Sequence, residues 1–340
     1  MFNRAAKDEG DMDFVLTWVD GDDPAWQKER ERFAPGENED GRAQRYRDLG
    51  LLRYWFRGVE RFAPWVRYVH FVTWGHLPKW LNPEAPKIRI VRHCDYMPHE
   101  ALPTFSSHAL EVNLHRIPGL SERFVYFNDD VFLLGPVKKT DFFVNGKPKE
   151  VMAFQPARAL ADSPAYSQMM LNVALLIGKY FNKGDSIRRH WFKFFHPGFP
   201  AKLLVMSLFN LPFPEYTGFF NAHGPAPLMK KTFKEIWELE GDYLSKMSRN
   251  RFRNGGDVCQ FIFREWEKQK GNFAPCNHQR LFQYLSLDKM GERELRLITK
   301  RKKRIVCVND TADDAAFEKA RIELAHAFEA ALPGKSSYEI

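Results

Sequence analysis

The sequence predicts an α/β fold, and three observations carry that reading. Strand-like apolar runs alternate with helix-period stretches between residues 13 and 134, in the order strand, helix, strand, strand, helix, strand. That order belongs to a sheet that is at least partly parallel. An acidic turn, Asp20-Gly21-Asp22-Asp23-Pro24, follows the first strand, at the place where open α/β sheets bind ligands. The run 124–136, FVYFNDDVFLLGP, is apolar on both sides of Asn128, Asp129 and Asp130. Its flanks suit a buried strand. Two adjacent carboxylates inside such a run are costly to bury unless something offsets their desolvation. A divalent cation carrying phosphate oxygens would do so; a turn cornered by Asn-Asp-Asp is the alternative.

The chain has 340 residues, 44% of them hydrophobic, enough for one large core or one core with an inserted subdomain. The net charge is +8 and the isoelectric point about 9.2, which favours anionic partners such as nucleotides, polyanionic polymers and acidic lipid surfaces. The excess is spread along a mixed-charge chain, with one dense run near the end, so no nucleic-acid partner is expected. Four cysteines, Cys94, Cys259, Cys276 and Cys307, stand far apart. They show neither zinc spacing nor a disulfide framework, as in a reducing compartment. Residues 1–12 lack the apolar core of a signal peptide, and no run reaches a membrane-spanning length. A cytoplasmic protein, at most peripheral on the inner membrane, is expected.

Residues 13–19, DFVLTWV, read as the first strand. Asp20 in the following turn is a candidate for contact with a nucleotide or its metal, although Asp, Gly and Pro are also ordinary turn formers. Residues 34–44 are polar and rich in Gly and Pro and read as a loop. A helix follows to about Phe62, with Leu49, Leu52, Trp55, Phe56 and Val59 at helical spacing. Arg47, Arg53 and Arg57 offer guanidinium forks for phosphate, or solvated charges on a helix surface. Residues 66–73 and 88–91 read as strands. Thr104 or Ser106 can cap a helix running to about His115, whose first amides suit a phosphate. Glu111 and His115 lie four apart on that helix, a spacing that can also hold a metal.

By this point the chain resembles the Stealth family. The text that carries the resemblance is DFVLTWVDGDDP, RYRDLGLLRYWFRGVERFAPWVRYVHFVT, LPKWLN, LPTFSSHALEVNLHRIPGL and FVYFNDDVFLLG, spanning residues 13–134. Members are bacterial capsule-polysaccharide sugar-1-phosphate transferases. The catalytic subunit of the animal lysosomal-enzyme N-acetylglucosamine-1-phosphotransferase is a relative. Two positions depart from the family pattern: Gly58 stands where a serine is usual, and Trp74 sits in a loop that is usually small and polar.

After Pro136 residues 151–154 read as a strand. Residues 190–214, HWFKFFHPGFPAKLLVMSLFNLPFP, are apolar but broken by lysines and prolines. They read as the buried core of an insertion, with an acceptor groove or a membrane-surface element as the alternatives. Residues 221–227, NAHGPAP, resemble the family's third block, and the resemblance makes His223 the candidate for acid/base work at near-neutral pH. A helix is expected over 228–239. Arg253 and Asp257 resemble a pair between the third and fourth blocks, the former for phosphate; an ion pair at a helix start is the alternative. Residues 307–310, CVND, resemble the fourth block, which brings in Asn309 and Asp310. An amphipathic helix is expected over 313–332.

The resemblance implies one catalytic domain over residues 1–340, with a mainly helical insertion around 155–250. Its implied topology is nucleotide-sugar-transferase-like (GT-A or Rossmann-like): a mixed sheet flanked by helices. The implied reaction moves a sugar-1-phosphate from a UDP-sugar to a hydroxyl of a growing glycan and releases UMP. Negative charge developing on phosphoryl oxygens calls for a cation and arginines. Asp129, Asp130 and Asp310 would hold Mg²⁺ (or Mn²⁺), and Asp20 would bind near the nucleotide and take part in catalysis. His223 would act on the acceptor hydroxyl, and Arg253 would hold phosphate during catalysis. Arg47, Arg53, Arg57, Ser106, Asn128, Asp257 and Asn309 would contact substrate. A glycosyltransferase releasing UDP, or a non-catalytic polyanion-binding protein whose binding weakens with salt, are the alternatives.

Overall fold

The computed structural model describes residues 9–33, 39–40, 46–161, 163–310 and 313–340. The loop expected over 34–44 therefore lies, apart from residues 39–40, outside the described residues.

Strand β1 (Asp13–Thr17) is followed by helices α1 (Pro24–Glu31) and α2 (Leu52–Phe62). Strands β2 (Val69–Thr73) and β3 (Ile88–Arg92) lead to helix α3 (Ser107–Asn113). Strands β4 (Arg123–Asn128) and β5 (Val131–Leu133) precede three helices, α4 (Pro164–Tyr180), α5 (Lys183–Phe194) and α6 (Ala201–Phe209). Strand β6 (Ala226–Met229), helices α7 (Lys230–Ser248) and α8 (Phe261–Gln269), and strand β7 (Phe282–Ser286) come next. Helix α9 (Glu292–Thr299), strand β8 (Ile305–Asn309) and helix α10 (Asp314–Ala331) complete the order.

The main sheet runs β3-β2-β1-β4-β6. Its first four strands are parallel, and β6 pairs antiparallel with β4. A parallel strand covered on both faces is apolar throughout, and β1 shows this directly. Phe14 and Leu16 enter the core shared with α2, α10 and the second sheet, while Val15 enters the core shared with α3, α4, α7 and α8. The same alternation splits β4, with Val125 and Phe127 on the first side and Phe124 and Tyr126 on the second. A smaller sheet, β7-β8-β5, has β7 parallel and β5 antiparallel to β8. The fold is thus a mixed α/β arrangement with helices on both faces of the main sheet.

At the start of β1 the buried Asp13 ties three segments together. It accepts from Arg67 Nε at 2.8 Å and Nη2 at 2.6 Å and from the Ser121 amide at 2.8 Å, and its Oδ2 lies 3.0 Å from His70 Nε2. Burial alone would raise its carboxyl, but these partners hold it far below the usual carboxylate range.

Helix α2 begins at Leu52, so Leu49, expected on its apolar face, precedes it. Its buried Leu52, Trp55, Phe56, Val59 and Phe62 follow the helical period. A Cβ on Gly58 would stand 2.4 Å from the Leu133 carbonyl oxygen, so glycine here lets α2 sit directly on β5. Trp74, the second departure, donates its ring N–H to Glu29 Oε2 at 2.5 Å.

Residues 228–229, expected to open a helix, instead finish β6, because all four residues of that strand are buried against the β4 edge. Helix α7 then runs to Ser248 with a kink at Glu240. The stretch 190–214 corrects another expectation. Phe194, Phe199 and Leu203 are buried, but Trp191, Phe192, Leu208, Phe209 and Phe213 are exposed. Short helices that bury one face each leave the other apolar face outside. Among the described residues no helix is long and apolar enough to cross a membrane.

Candidate active site

The apolar run around Asp129 and Asp130 is two strands. Strand β4 ends at Asn128, in register with Thr17 at the end of β1, and β5 starts at Val131. Asp129 and Asp130 therefore form the two-residue corner where the chain leaves one sheet for the other. The second sheet grips this corner. Val308 N donates to Asp130 O at 2.8 Å, and Cys307 pairs with Val131.

Asp130 Oδ2 lies 3.0 Å from His223 Nε2 and accepts from Cys307 Sγ at 3.3 Å. Asp130, His223 and Cys307 each offer a potential ligand atom, all within 4.8 Å of one another. Burial, followed by the charge of Asp130, pushes the Cys307 thiol well above its ordinary value. In the absence of a cation Cys307 is thus an S–H donor to Asp130. The other oxygen, Asp130 Oδ1, is buried and has no hydrogen-bond partner among the described residues. It is an oxygen donor open to a hard cation, on the residue that follows Asp129 in the chain.

More carboxylates converge on this edge. Burial, then the charges of Asp130 and Asp48, push the Asp129 carboxyl up to about 8. Asp48 is also raised, first by burial, with Asp20 and Asp22 adding to it against hydrogen bonds from Gly50 and Trp18. Trp18 Nε1 donates to Asp48 Oδ2 at 3.0 Å and the Gly50 amide to Oδ1 at 2.7 Å. Asp20 Oδ1 accepts from the Asp22 amide at 3.0 Å, and the Asp20 amide donates to His76 Nε2 at 2.8 Å. That contact needs a neutral His76 ring, and burial lowers its pKa accordingly. Mutual repulsion among these carboxylates is what a bound cation would relieve.

His223 arrives on a loop clasped by α8. Asn221 Nδ2 donates to Glu265 Oε1 at 2.6 Å, and Lys268 Nζ donates to Asn221 Oδ1 at 2.8 Å and to Phe220 O at 3.1 Å. Arg264 Nη1 reaches Ala222 O at 3.3 Å while its Nε and Nη2 hold Glu150 at 2.6 and 2.8 Å. Burial works against protonating His223, but the charge and hydrogen bond of Asp130 outweigh it and raise its pKa. The charge of Arg253 acts in the opposite sense. Arg253 Nη2 also donates to Ser107 Oγ at 2.8 Å.

The structure thus brings Asp129, Asp130 and His223 together, with Arg253 within electrostatic reach of the imidazole, Asn128 at the end of β4 and Asp20 in the turn after β1. Asn309 ends β8, opposite Ser286. Asp310, grouped with the cation ligands by the sequence, takes two donations on Oδ2 from Arg47, at 3.0 and 2.7 Å. Arg47 also holds Asp314 at 2.7 Å and lies over the Phe317 ring. Arg53 stacks over Trp80. Arg57 is buried, and its donors go to Glu339, Glu329 and the Leu332 carbonyl, so it fastens the carboxyl-terminal segment to α2 instead of facing a phosphate. Asp257 is fully buried, beside His108 Nδ1 at 3.1 Å and accepting from Asn250 at 2.8 Å and the Asn254 amide at 2.9 Å. Ser106 is buried, its Oγ has no partner among the described residues, and α3 starts after it without a side-chain cap bond. Glu111 and His115 separate. Glu111 accepts from the Gln260 amide at 3.1 Å, and His115 packs on Phe233 and Trp237. Asp48, Ser107 and Cys307 are members of this edge to which sequence reading gave no role. Asp48 was visible only as the acidic neighbour of Arg47.

Carboxylates, an imidazole and an arginine at the carboxyl edge of a parallel sheet define an α/β enzyme site. Residues 10–37 match the region described as Stealth protein CR1, conserved region 1, and residues 45–151 match Stealth protein CR2, conserved region 2. The capsular polysaccharide phosphotransferase WcwK of Streptococcus pneumoniae is 38% identical over 333 residues, covering 96% of this chain and 98% of its own. The receptor polysaccharide phosphotransferase WefC of Streptococcus oralis is 36% identical, covering 97% and 99%. The exopolysaccharide phosphotransferase cps2G of Lactiplantibacillus plantarum is 37% identical, covering 97% and 96%. The chain belongs to the Stealth family of polysaccharide phosphotransferases. Among solved structures, the galactosyltransferase LgtC in complex with donor and acceptor sugar analogs aligns at TM-score 0.39 and 10% identity, over 93% of this chain and 96% of its own, too distant a likeness to carry its ligands over.

Proposed function

We propose that the protein transfers a sugar-1-phosphate from a UDP-sugar to a hydroxyl of a growing capsular or cell-surface polysaccharide. A phosphodiester forms and UMP leaves. The observation that carries this reading is the 3.0 Å contact between His223 and Asp130, at a carboxylate corner within a family of polysaccharide phosphotransferases.

With its Nε2–H donated to Asp130, His223 keeps a lone pair on Nδ1 that can take the proton of the acceptor hydroxyl. The imidazolium so formed is stabilised by Asp130, whose charge already raises the pKa of the ring. Arg253 holds phosphoryl oxygens against the charge that builds up on them. Asp20, Asn128 and Asn309 line the strand ends where the nucleotide lies. Asp129 and Asp130 would hold Mg²⁺ or Mn²⁺, a fit supported by the buried Asp130 Oδ1, which has no hydrogen-bond partner among the described residues, and by the burial and the Asp130 charge that together raise Asp129. When bound, the ion supplies positive charge to the phosphate oxygens.

The test is to incubate the protein with a panel of UDP-sugars and a capsular oligosaccharide primer, then identify the nucleotide released. UMP with a phosphodiester in the glycan supports the reading. UDP with a phosphate-free glycan overturns it in favour of a glycosyltransferase.

A further inference from the structure

The face of the protein that this chemistry leaves unexplained is the outer side of α5 and α6. Trp191 is 52% exposed, Phe192 69% and Phe209 75%. Val205, Leu208 and Phe213 extend the apolar surface. The inner sides of the same helices are well packed, with Phe194 and Leu203 buried beside Phe154 and Phe219. The buried Lys183 ties the start of α5 to the carbonyls of Asn210 and Phe213 just beyond α6, and Lys193 caps the carbonyls of Gly271 and Phe273. The exposed aromatics are therefore presented by an anchored hairpin of helices.

Charge decides what covers this face. Between residues 179 and 213 lie six basic residues and one acidic residue, Asp185. Two of the lysines are turned inward as described, and Lys179 pairs with Glu240. Arg188, Arg189 and Lys202 remain exposed, Arg188 with Asp185 at 3.3 Å. Lys202, Val205 and Phe209 stand at i, i+3 and i+7 along α6, so the cation shares a stripe with the apolar residues. Arg188 and Arg189 directly precede the Trp191–Phe192 pair, whose rings touch at a centroid distance of 3.9 Å. Apolar and aromatic side chains mixed with exposed cations match the interfacial zone of a bilayer with anionic headgroups. A symmetric contact with a second copy of the chain would set these cations against each other.

We propose that the α5–α6 hairpin docks the protein on an anionic membrane surface, with Trp191, Phe192 and Phe209 entering the headgroup boundary and Arg188, Arg189 and Lys202 meeting lipid phosphates. The hairpin lies outside the catalytic residues. The inference stands whether the enzyme releases UMP or UDP.

Flotation with vesicles tests it. The full chain should float with vesicles of phosphatidylglycerol and phosphatidylcholine and remain behind with phosphatidylcholine alone. The double variant Arg188→Gln/Arg189→Gln should bind the anionic vesicles roughly 30-fold more weakly, since each cation near such a surface contributes about fivefold. Trp191→Ser/Phe209→Ser should lose binding while keeping its melting temperature, because both side chains are exposed. Trp191→Phe should keep binding but lose most of the fluorescence quenching by brominated lipid. Failure of the wild-type chain to float with anionic vesicles overturns the proposal. So does unchanged quenching in Trp191→Phe, which would place the contact at another tryptophan. A concentration-dependent dimer dispersed by Phe209→Ser, without vesicle binding, overturns it in favour of self-association.

Discussion

His223 Nε2 stands 3.0 Å from Asp130 Oδ2, although 93 residues separate the two along the chain. This contact joins the corner between the two sheets to the loop clasped by α8. It places an imidazole beside the carboxylates.

Asp130→Asn keeps the size of the side chain and an oxygen to accept from His223, but it removes a charge from a crowded acidic edge. Stability should hold or rise slightly, because neighbouring carboxylates repel when no cation is bound. Turnover should fall roughly 100-fold or more. A turn with only a structural role gives the reverse: a lower melting temperature and normal turnover per folded molecule. Thermal melts and initial rates on the same preparation separate the two outcomes.

Asp129 makes a pH prediction whose sign follows from its raised pKa. Burial and Asp130 bring its carboxyl up to about 8, while an unfolded chain titrates it near 4. The folded state holds that proton more tightly, so stability declines as pH rises from about 4 to about 8. In the presence of a chelator, Asp129→Asn should therefore melt higher than wild type at pH 8 and at nearly the same temperature at pH 4. Mg²⁺ should raise the wild-type melting temperature at pH 8 and do much less for the variant. Equal melting curves at pH 8 would mean that Asp129 carries no such repulsion.

Gly58 offers a test of how α2 supports the site. Serine is the usual residue at this position in the family resemblance, yet here a Cβ would lie 2.4 Å from the Leu133 carbonyl oxygen. That atom is backbone in β5, three residues from Asp130. Gly58→Ser must push the strand or the helix and should cost about 1–3 kcal/mol. A melting temperature equal to that of wild type would show that β5 yields freely.

The sequence disclosed those parts whose burial is complete. Strands β1 and β4 were legible because every residue facing either core is apolar. Strand β6 was not, since Pro225 and Pro227 signal a loop and only the free edge of β4 makes a strand of it. Strand β7 and helix α9 went unread, β7 because its residues do not alternate and α9 because it is only eight residues long, although Leu295 and Ile298 keep helical spacing. Asp129 and Asp130 stood out by their cost of burial, but their partner His223 emerged only through family resemblance, because no spacing rule links residues 93 apart. Arg57 looks the same in sequence as a phosphate ligand. Only the folded carboxyl-terminal segment, with Glu329 and Glu339 in its fork, reveals its structural task. Cys307 carried no spacing signal, and its place next to Asp130 follows from β8 pairing with β5.

The clasp beneath His223 can be loosened without touching the imidazole. Asn221 is held by Glu265 at 2.6 Å and by Lys268 at 2.8 Å, two residues before His223. Asn221→Ala removes both bonds and leaves a buried carboxyl and a buried ammonium each short of a partner, at about 1–3 kcal/mol. The larger effect should fall on rate. A base displaced by about 1 Å costs on the order of 100-fold in turnover, while donor binding, which needs none of these groups, should keep its KM. The Asp130 contact raises the pKa of His223, so a slackened loop should also bring the His223 midpoint, followed by histidine NMR, down toward its ordinary value. A purely structural role for Asn221 predicts a lower melting temperature with an unmoved His223 midpoint and normal turnover in the folded fraction. That result would remove the α8 clasp from the mechanism.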